Sequence, residues 1–126
     1  MNDTRSQKNN QVFQLEVFPL YHVTTRYRAD IITARGVDPS KSRGKLKVSW
    51  WVSEENVAWA IAHVSLRHKC PVNNIMVLPA VISTRFLKRT AWRGVYTCDV
   101  VIYPDCFNYM SARRALKKYR VPNVLI

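Results

Sequence analysis

The apolar residues of this chain fall into short runs, and that spacing decides what it can become. None approaches the ~18–20 residues needed to span a bilayer. VFQLEVF (12–18), LYHV (20–23), LKVSWWV (46–52), IMVLPAVI (75–82) and VYTCDVVIY (95–103) are instead β-branched and aromatic segments of strand length. Pro19 closes the first of them, and Pro79 demands an edge or a bulge in the fourth. Thr24 or Thr25 can cap a helix over 26–35, in which Tyr27, Ile31 and Ala34 share one face and Gly36 takes the left-handed C-terminal position. A second helix follows Ser53 as its N-cap, with Glu54 and Glu55 in its first turn, and runs to about Lys69. Its apolar residues surround most of the circumference, which predicts a largely buried helix. A third helix, near 105–119, carries an apolar stripe of Ala112, Ala115, Leu116 and Tyr119 behind Asp105 as its N-cap. The order β-β-α-β-α-β-β-α, with helices early and strands late, is that of an α+β domain. A chain of 126 residues makes one such domain, over 11–126, behind a polar, flexible tail over 1–10.

Charge departs furthest from the average. Lys and Arg number 20 against 8 Asp and Glu, a net of +12. Residues 1–63 carry 9 basic and 6 acidic side chains, whereas residues 64–126 carry 11 and 2. Self-repulsion on that scale destabilises a small compact domain, so a polyanionic partner is expected, nucleic acid before a nucleotide or a membrane. The basic groups cluster as Arg43, Lys45 and Lys47 in a loop, as Arg85, Lys88, Arg89 and Arg93 around a later turn, and as Arg113, Arg114, Lys117 and Lys118 on the outer face of the last helix. Cys70, Cys98 and Cys106 are odd in number and lack metal-ligand spacing, so they read as free, mostly buried thiols with no metal. The opening MNDTRSQKNNQ has no apolar run of the secretory kind, which predicts a reducing, cytoplasmic setting.

Several residues could carry chemistry. His22 ends an apolar strand just before a helix, where a ring nitrogen can meet a ligand as donor, acceptor or general acid/base; a histidine satisfied inside the core is the alternative. Trp50 and Trp51 are adjacent in a strand and so point to opposite faces, one into the core and the other to a groove or solvent, where an indole can stack on a base or a nicotinamide ring. Asp99 interrupts an apolar strand, either turned to solvent or held in a site by a positive partner. His63 and His68, five apart on one helix, do not share a face as a metal pair would.

In order along the chain these features resemble a known superfamily. LYHVTTRYRADIITARGVDPS resembles the opening of the ADP-ribosyltransferase-like fold, shared by NAD-dependent ADP-ribosyltransferases and RNA 2′-phosphotransferases. SWWVSEENVAWAIAHV looks like its aromatic strand, small polar residue and Ala-rich helix, and CDVVIYP like its later acidic strand; the resemblance spans 20–104. It implies split antiparallel or mixed β-sheets with two to three helices, NAD as co-substrate, and transfer of ADP-ribose with release of nicotinamide. His22 would bond the ribose next to the nicotinamide, with Thr24 supporting that contact, and Trp50, Trp51 or Trp59 would stack on the nicotinamide ring. Asp99 would stand for the catalytic Glu, offsetting positive charge as nicotinamide leaves. Arg26, Arg43 and Arg67 would serve as phosphate ligands. A nucleic-acid or protein acceptor would lie on the basic surface, Lys45, Lys47, Arg89, Arg93, Arg113, Arg114, Lys117 and Lys118 holding the nucleic acid. The chain departs from the pattern in having Asp, one methylene shorter than Glu, and Trp where Tyr is more usual. A close variant is 2′-phosphate transfer on RNA, although that branch uses an Arg-rich set and an additional N-terminal domain. The contrasting expectation is a nucleic-acid-binding module that keeps the fold without the acid.

Overall fold

The computed structural model describes residues 17–42 and 44–119. The expected tail, most of the expected strand over 12–18, and Arg43 lie outside them. The described chain is an α+β fold: one antiparallel sheet with helices on both faces. Its strands are β1 (Val17–Thr25), β2 (Ser49–Val52), β3 (Ile75–Ser83), β4 (Leu87–Arg89), β5 (Val95–Cys98) and β6 (Met110–Ser111). Its helices are α1 (Arg26–Arg35), α2 (Val57–His68) and α3 (Ala112–Lys118). The strand order is β4-β5-β2-β1-β3-β6. β1 and β3 are zipped from Val17↔Ser83 to Thr25↔Ile75, but β1 meets β2 at the single registered pair Tyr21↔Val52. The sheet therefore divides into two lobes, β4-β5-β2 and β1-β3-β6, joined at one point. None of the described helices is long and apolar enough to cross a membrane.

β1 runs through Pro19, which does not end it, and the ladder explains why. Pro19 pairs with Val81 and Tyr21 with Pro79, two positions apart and hence of the same kind. At such positions the backbone groups of both residues point away from the partner strand, so neither missing N–H leaves an acceptor empty. Pro19 faces the gap that β2 does not fill. Pro79 faces the edge beyond the two residues of β6, as an edge proline should, and its carbonyl accepts from the Asp105 N–H at 2.8 Å.

Local chemistry sets α1. Thr25 Oγ1 accepts from Arg28 N, and Gly36, at φ +73, donates its N–H to Ile32 O at 2.7 Å. The face it buries differs from the expected one: Ala29 and Ile32 are inside, while Tyr27, Ile31 and Ala34 are exposed. α2 also departs from expectation. Ser53 precedes a 3₁₀ turn over Glu54–Asn56, its Oγ accepting from Asn56 Nδ2 at 3.1 Å rather than from a backbone N–H of the turn, and the α-helix starts at Val57. Val57, Ala60 and Ile61 are buried, but Trp59 and Leu66 face solvent, so one stripe packs and the helix is not enclosed. α3 starts at Ala112, capped by Ser111, whose Oγ accepts from Arg114 N; Asp105 instead closes a tight turn by accepting from Phe107 N. Its stripe of Ala112, Ala115 and Tyr119 is buried, with Leu116 half-buried against the same core. The strand expected over 95–103 stops at Cys98, opposite Ser49 where its antiparallel partner β2 begins, and Ile102 pairs instead with Val37.

Two cores result, one on each face. Leu20, Trp51, Leu78, Ala80, Ile82 and Cys98 pack with Ala29 and Ile32 of α1. Tyr21, Val52, Val77 and Val95 pack with α2 and α3. The turn before β5 is locked to the turn before α2: Ser53 N donates to Gly94 O at 2.8 Å, and Asn56 Nδ2 to Arg93 O at 2.9 Å. Gly94 has φ +75, and a Cβ there would strike Ser53 Oγ and Asn56 Nδ2. Gly94→Ala is expected to lower the unfolding free energy by about 2 kcal/mol, the left-handed strain adding to the displaced contacts. Urea unfolding reads this, and a loss below about 0.5 kcal/mol would show that the two turns are not coupled.

Candidate functional site at the junction of the sheet lobes

His22 sits where the two lobes meet, half-buried on the α1 face of β1. Its Nδ1–H donates to the Trp50 carbonyl at 2.8 Å, a bond that crosses from β1 to β2 one step from their single registered pair. The ring lies against Trp51, centroids 5.3 Å apart and planes at 45°. Holding the proton on Nδ1 leaves Nε2 with a lone pair, so the ring presents one acceptor. Burial pushes the His22 pKa below its ordinary value; the Trp50 carbonyl opposes this, and the positive charge of Arg28 adds to it. The imidazole is therefore neutral at pH 7.

A depressed histidine pKa has a definite consequence for stability. Below about 6.5 the unfolded chain takes up a proton that the folded ring refuses, so unfolding free energy falls as the pH drops through the 6s. His22→Asn can keep a donor to the Trp50 carbonyl and cannot titrate. Thermal unfolding between pH 8 and 5.5 is expected to fall more steeply for the native chain than for this variant. Equal slopes would show that His22 titrates as an ordinary exposed histidine.

The expected stacking residues distribute differently. Trp51 is 0% exposed, with Nε1–H donating to Ser49 Oγ at 2.8 Å, so it props the imidazole and offers no free face to a ring. Trp50, 44% exposed, is turned by strand alternation to the α2 side of the sheet, leaving only its carbonyl at the His22 corner. Trp59 is exposed on α2 and stacks on His63 at 5.3 Å. Thr24 is buried, two residues along β1 on the same face as His22, and among the described residues no hydrogen bond joins the two.

Asp99 is exposed and follows Cys98, the last residue of β5. Among the described residues no hydrogen bond or ion pair joins it to His22 or Trp51. The β5 residue registered with Trp51 is Tyr96, half-buried on the same face, with its ring 6.5 Å from Phe18. Asp99 lies three residues farther on, about 10 Å along the strand. Tyr96 is the site residue that sequence reasoning missed, since only the register between β2 and β5 selects it. Burial pushes the Cys98 thiol pKa up, away from thiolate chemistry; Cys70 is half-buried and Cys106 exposed, so the thiols are not uniformly buried. Among the described residues no group of three or more His, Cys, Asp or Glu could hold a metal ion.

The basic residues form two patches at opposite ends of the sheet. Arg85, Lys88, Arg89 and Arg93 lie around β4 and the turn into β5, with Trp92 60% exposed beside them and the Arg85 guanidinium 5.5 Å over Phe86. Those aromatic residues, interleaved with cations in RFLKRTAWR, were legible in the sequence as a stacking platform and were not singled out there. Arg113, Arg114, Lys117 and Lys118 are exposed on α3 at the other edge, where Arg113 Nε donates to Asn73 Oδ1 at 2.6 Å. Lys45 and Lys47 are exposed in the loop before β2, and Lys47 Nζ donates to Ser42 O at 2.6 Å. Arg26 and Arg67 are also exposed. The chain matches no protein-family model, no curated protein and no solved structure.

Proposed function

We propose that the His22 corner recognises a ribose of NAD and that the chain is an ADP-ribosyltransferase-like transferase acting on a nucleic-acid or protein acceptor. The observation that carries this reading is the neutral, half-exposed imidazole with its Nδ1–H committed to the Trp50 carbonyl and its Nε2 free. Such a nitrogen accepts from a ribose hydroxyl without first losing a proton. NAD, when bound, supplies the glycosidic bond to nicotinamide that breaks on transfer. The chain's own part is to hold the ring in place through Trp51, while Asp99, exposed just beyond β5, would be the carboxylate available to offset the growing positive charge. The cationic patches at β4–β5 and on α3 would hold a nucleic-acid acceptor.

A second reading is favoured by Tyr96, which occupies the β5 position facing the corner where a carboxylate would be most useful. On that reading the chain is a non-catalytic nucleic-acid-binding module. One experiment separates the two. The protein is incubated with NAD and a panel of RNA, DNA and protein acceptors, with nicotinamide release and an added ADP-ribose mass as readouts. Turnover supports transfer. Absence of turnover, with nucleic-acid affinity that falls steeply with salt, supports the binder. Neither result at moderate salt overturns both.

A further inference from the structure

A cavity lies on the α3 side of the sheet, away from His22, with a volume of about 440 Å³. β3 is nine residues long and β6 only two, so β3 has an open edge from Pro79 onward. The segment 105–109 folds over that edge, anchored by the bond from Asp105 N to Pro79 O, and the space between it and α3 is the cavity. Pro19, Pro79 and Val81 make an apolar wall, and Phe107, 93% exposed, stands at the rim. Arg114 and Lys118, four residues apart and so on one helix face, supply the charge.

These two cations are not neutralised from within. Among the described residues the Arg114 guanidinium has no hydrogen bond or ion pair, and the Lys118 ammonium has only the Tyr119 ring, 5.4 Å away. Asp105 also lines the cavity; its carboxylate oxygens accept from Phe107 N and from Asn108 Nδ2 but keep their charge, so the lining is left with a net of +1 from Arg114 and Lys118. A like-charged pair one turn apart repels in the free protein and is relieved by an anion between its members. A phosphomonoester, with nearly two negative charges, relieves it better than a diester with one. The apolar wall and the unpartnered aromatic rim suit the face of a base, and the volume falls in the range of small-ligand sites, about 300–1,000 Å³.

We infer that this cavity binds a nucleoside monophosphate group, either free or at the phosphorylated end of a nucleic-acid strand, its phosphate between Arg114 and Lys118 and its base against Phe107. The site is separate from the His22 corner, although Arg114 and Lys118 also belong to the α3 patch proposed to hold a nucleic-acid acceptor. The test is calorimetric titration of the full chain with AMP, adenosine, and a tetranucleotide with and without a 5′-phosphate. AMP or the phosphorylated tetranucleotide is expected to bind saturably, at least tenfold more tightly than its unphosphorylated counterpart. Response to AMP alone assigns the free nucleotide, and response to the oligomer alone assigns the strand end. Arg114→Gln with Lys118→Gln, checked for an unchanged melting temperature, is expected to abolish the preference for phosphate. Phe107→Ala, fully exposed and safe for folding, is expected to weaken AMP or oligomer binding severalfold while keeping that preference. Equal binding with and without phosphate, or a preference that survives the double substitution, overturns the inference. A protein that binds AMP here without releasing nicotinamide keeps this site and loses the transferase reading; one that releases nicotinamide and shows no phosphate preference does the reverse.

Discussion

Trp51→Ala is expected to lower the unfolding free energy by about 3–5 kcal/mol, the largest stability loss anticipated from a single substitution in this chain. The indole is fully enclosed, packed in the α1-side core with Leu20, Leu78, Ala80, Ile82 and Cys98. Removing it leaves a void that β2 cannot collapse into, because β2 is held to β5 by four registered pairs. It also strips the Ser49 hydroxyl, buried in the same core, of its indole donor. Against a total stability of about 5–15 kcal/mol for a domain, such a loss brings the chain close to unfolding at ambient temperature. Denaturant titration of the variant measures it, and Trp51→Phe, which keeps most of the volume, is expected to lose less. A loss below about 1 kcal/mol for the alanine variant would mean that the two lobes are not joined through this core.

If the proposed ADP-ribose transfer holds, His22→Ala is expected to reduce nicotinamide release from NAD by about 10²-fold or more, the usual effect of deleting a positioned catalytic group. Its effect on stability should be smaller than that of Trp51→Ala, since the imidazole is only half-buried and its strand is zipped to β3 over nine pairs. His22→Asn separates positioning from ribose contact. The asparagine amide can still donate to the Trp50 carbonyl and bridge the lobes, but it lacks the second nitrogen. It is expected to melt like the native chain at pH 8 and to be as inactive as the alanine variant. Both variants turning over NAD at the native rate would remove His22 from the mechanism.

Much of the architecture was legible in the residues because it rests on neighbours in the chain. α1 begins and ends where Thr25 and Gly36 place it, since capping involves residues three or four apart. The α3 stripe is buried as its spacing indicates, and β2, β3 and β5 fall within the apolar runs, because periodicity and β-branching act locally. Which of two apolar stripes on α1 would be covered was not legible: Tyr27–Ile31–Ala34 and Ala29–Ile32 are both plausible helically, and docking onto Leu20 and Leu78 decides between them. The same holds for Pro19, which reads as a terminator until the ladder shows its missing donor facing a gap.

The residues themselves determined an α+β fold, its cationic surface, and the opposed faces of Trp50 and Trp51. Only the tertiary structure decided that Trp51 is the enclosed one, that His22 crosses to the Trp50 carbonyl, and that Tyr96 rather than Asp99 is registered with Trp51. Side-chain alternation along a strand is a property of one backbone, whereas register is a property of two, and shifting it by one residue reverses every facing. That is why His22 and the tryptophan pair could be singled out from the chain alone, while their arrangement had to come from the pairing of strands.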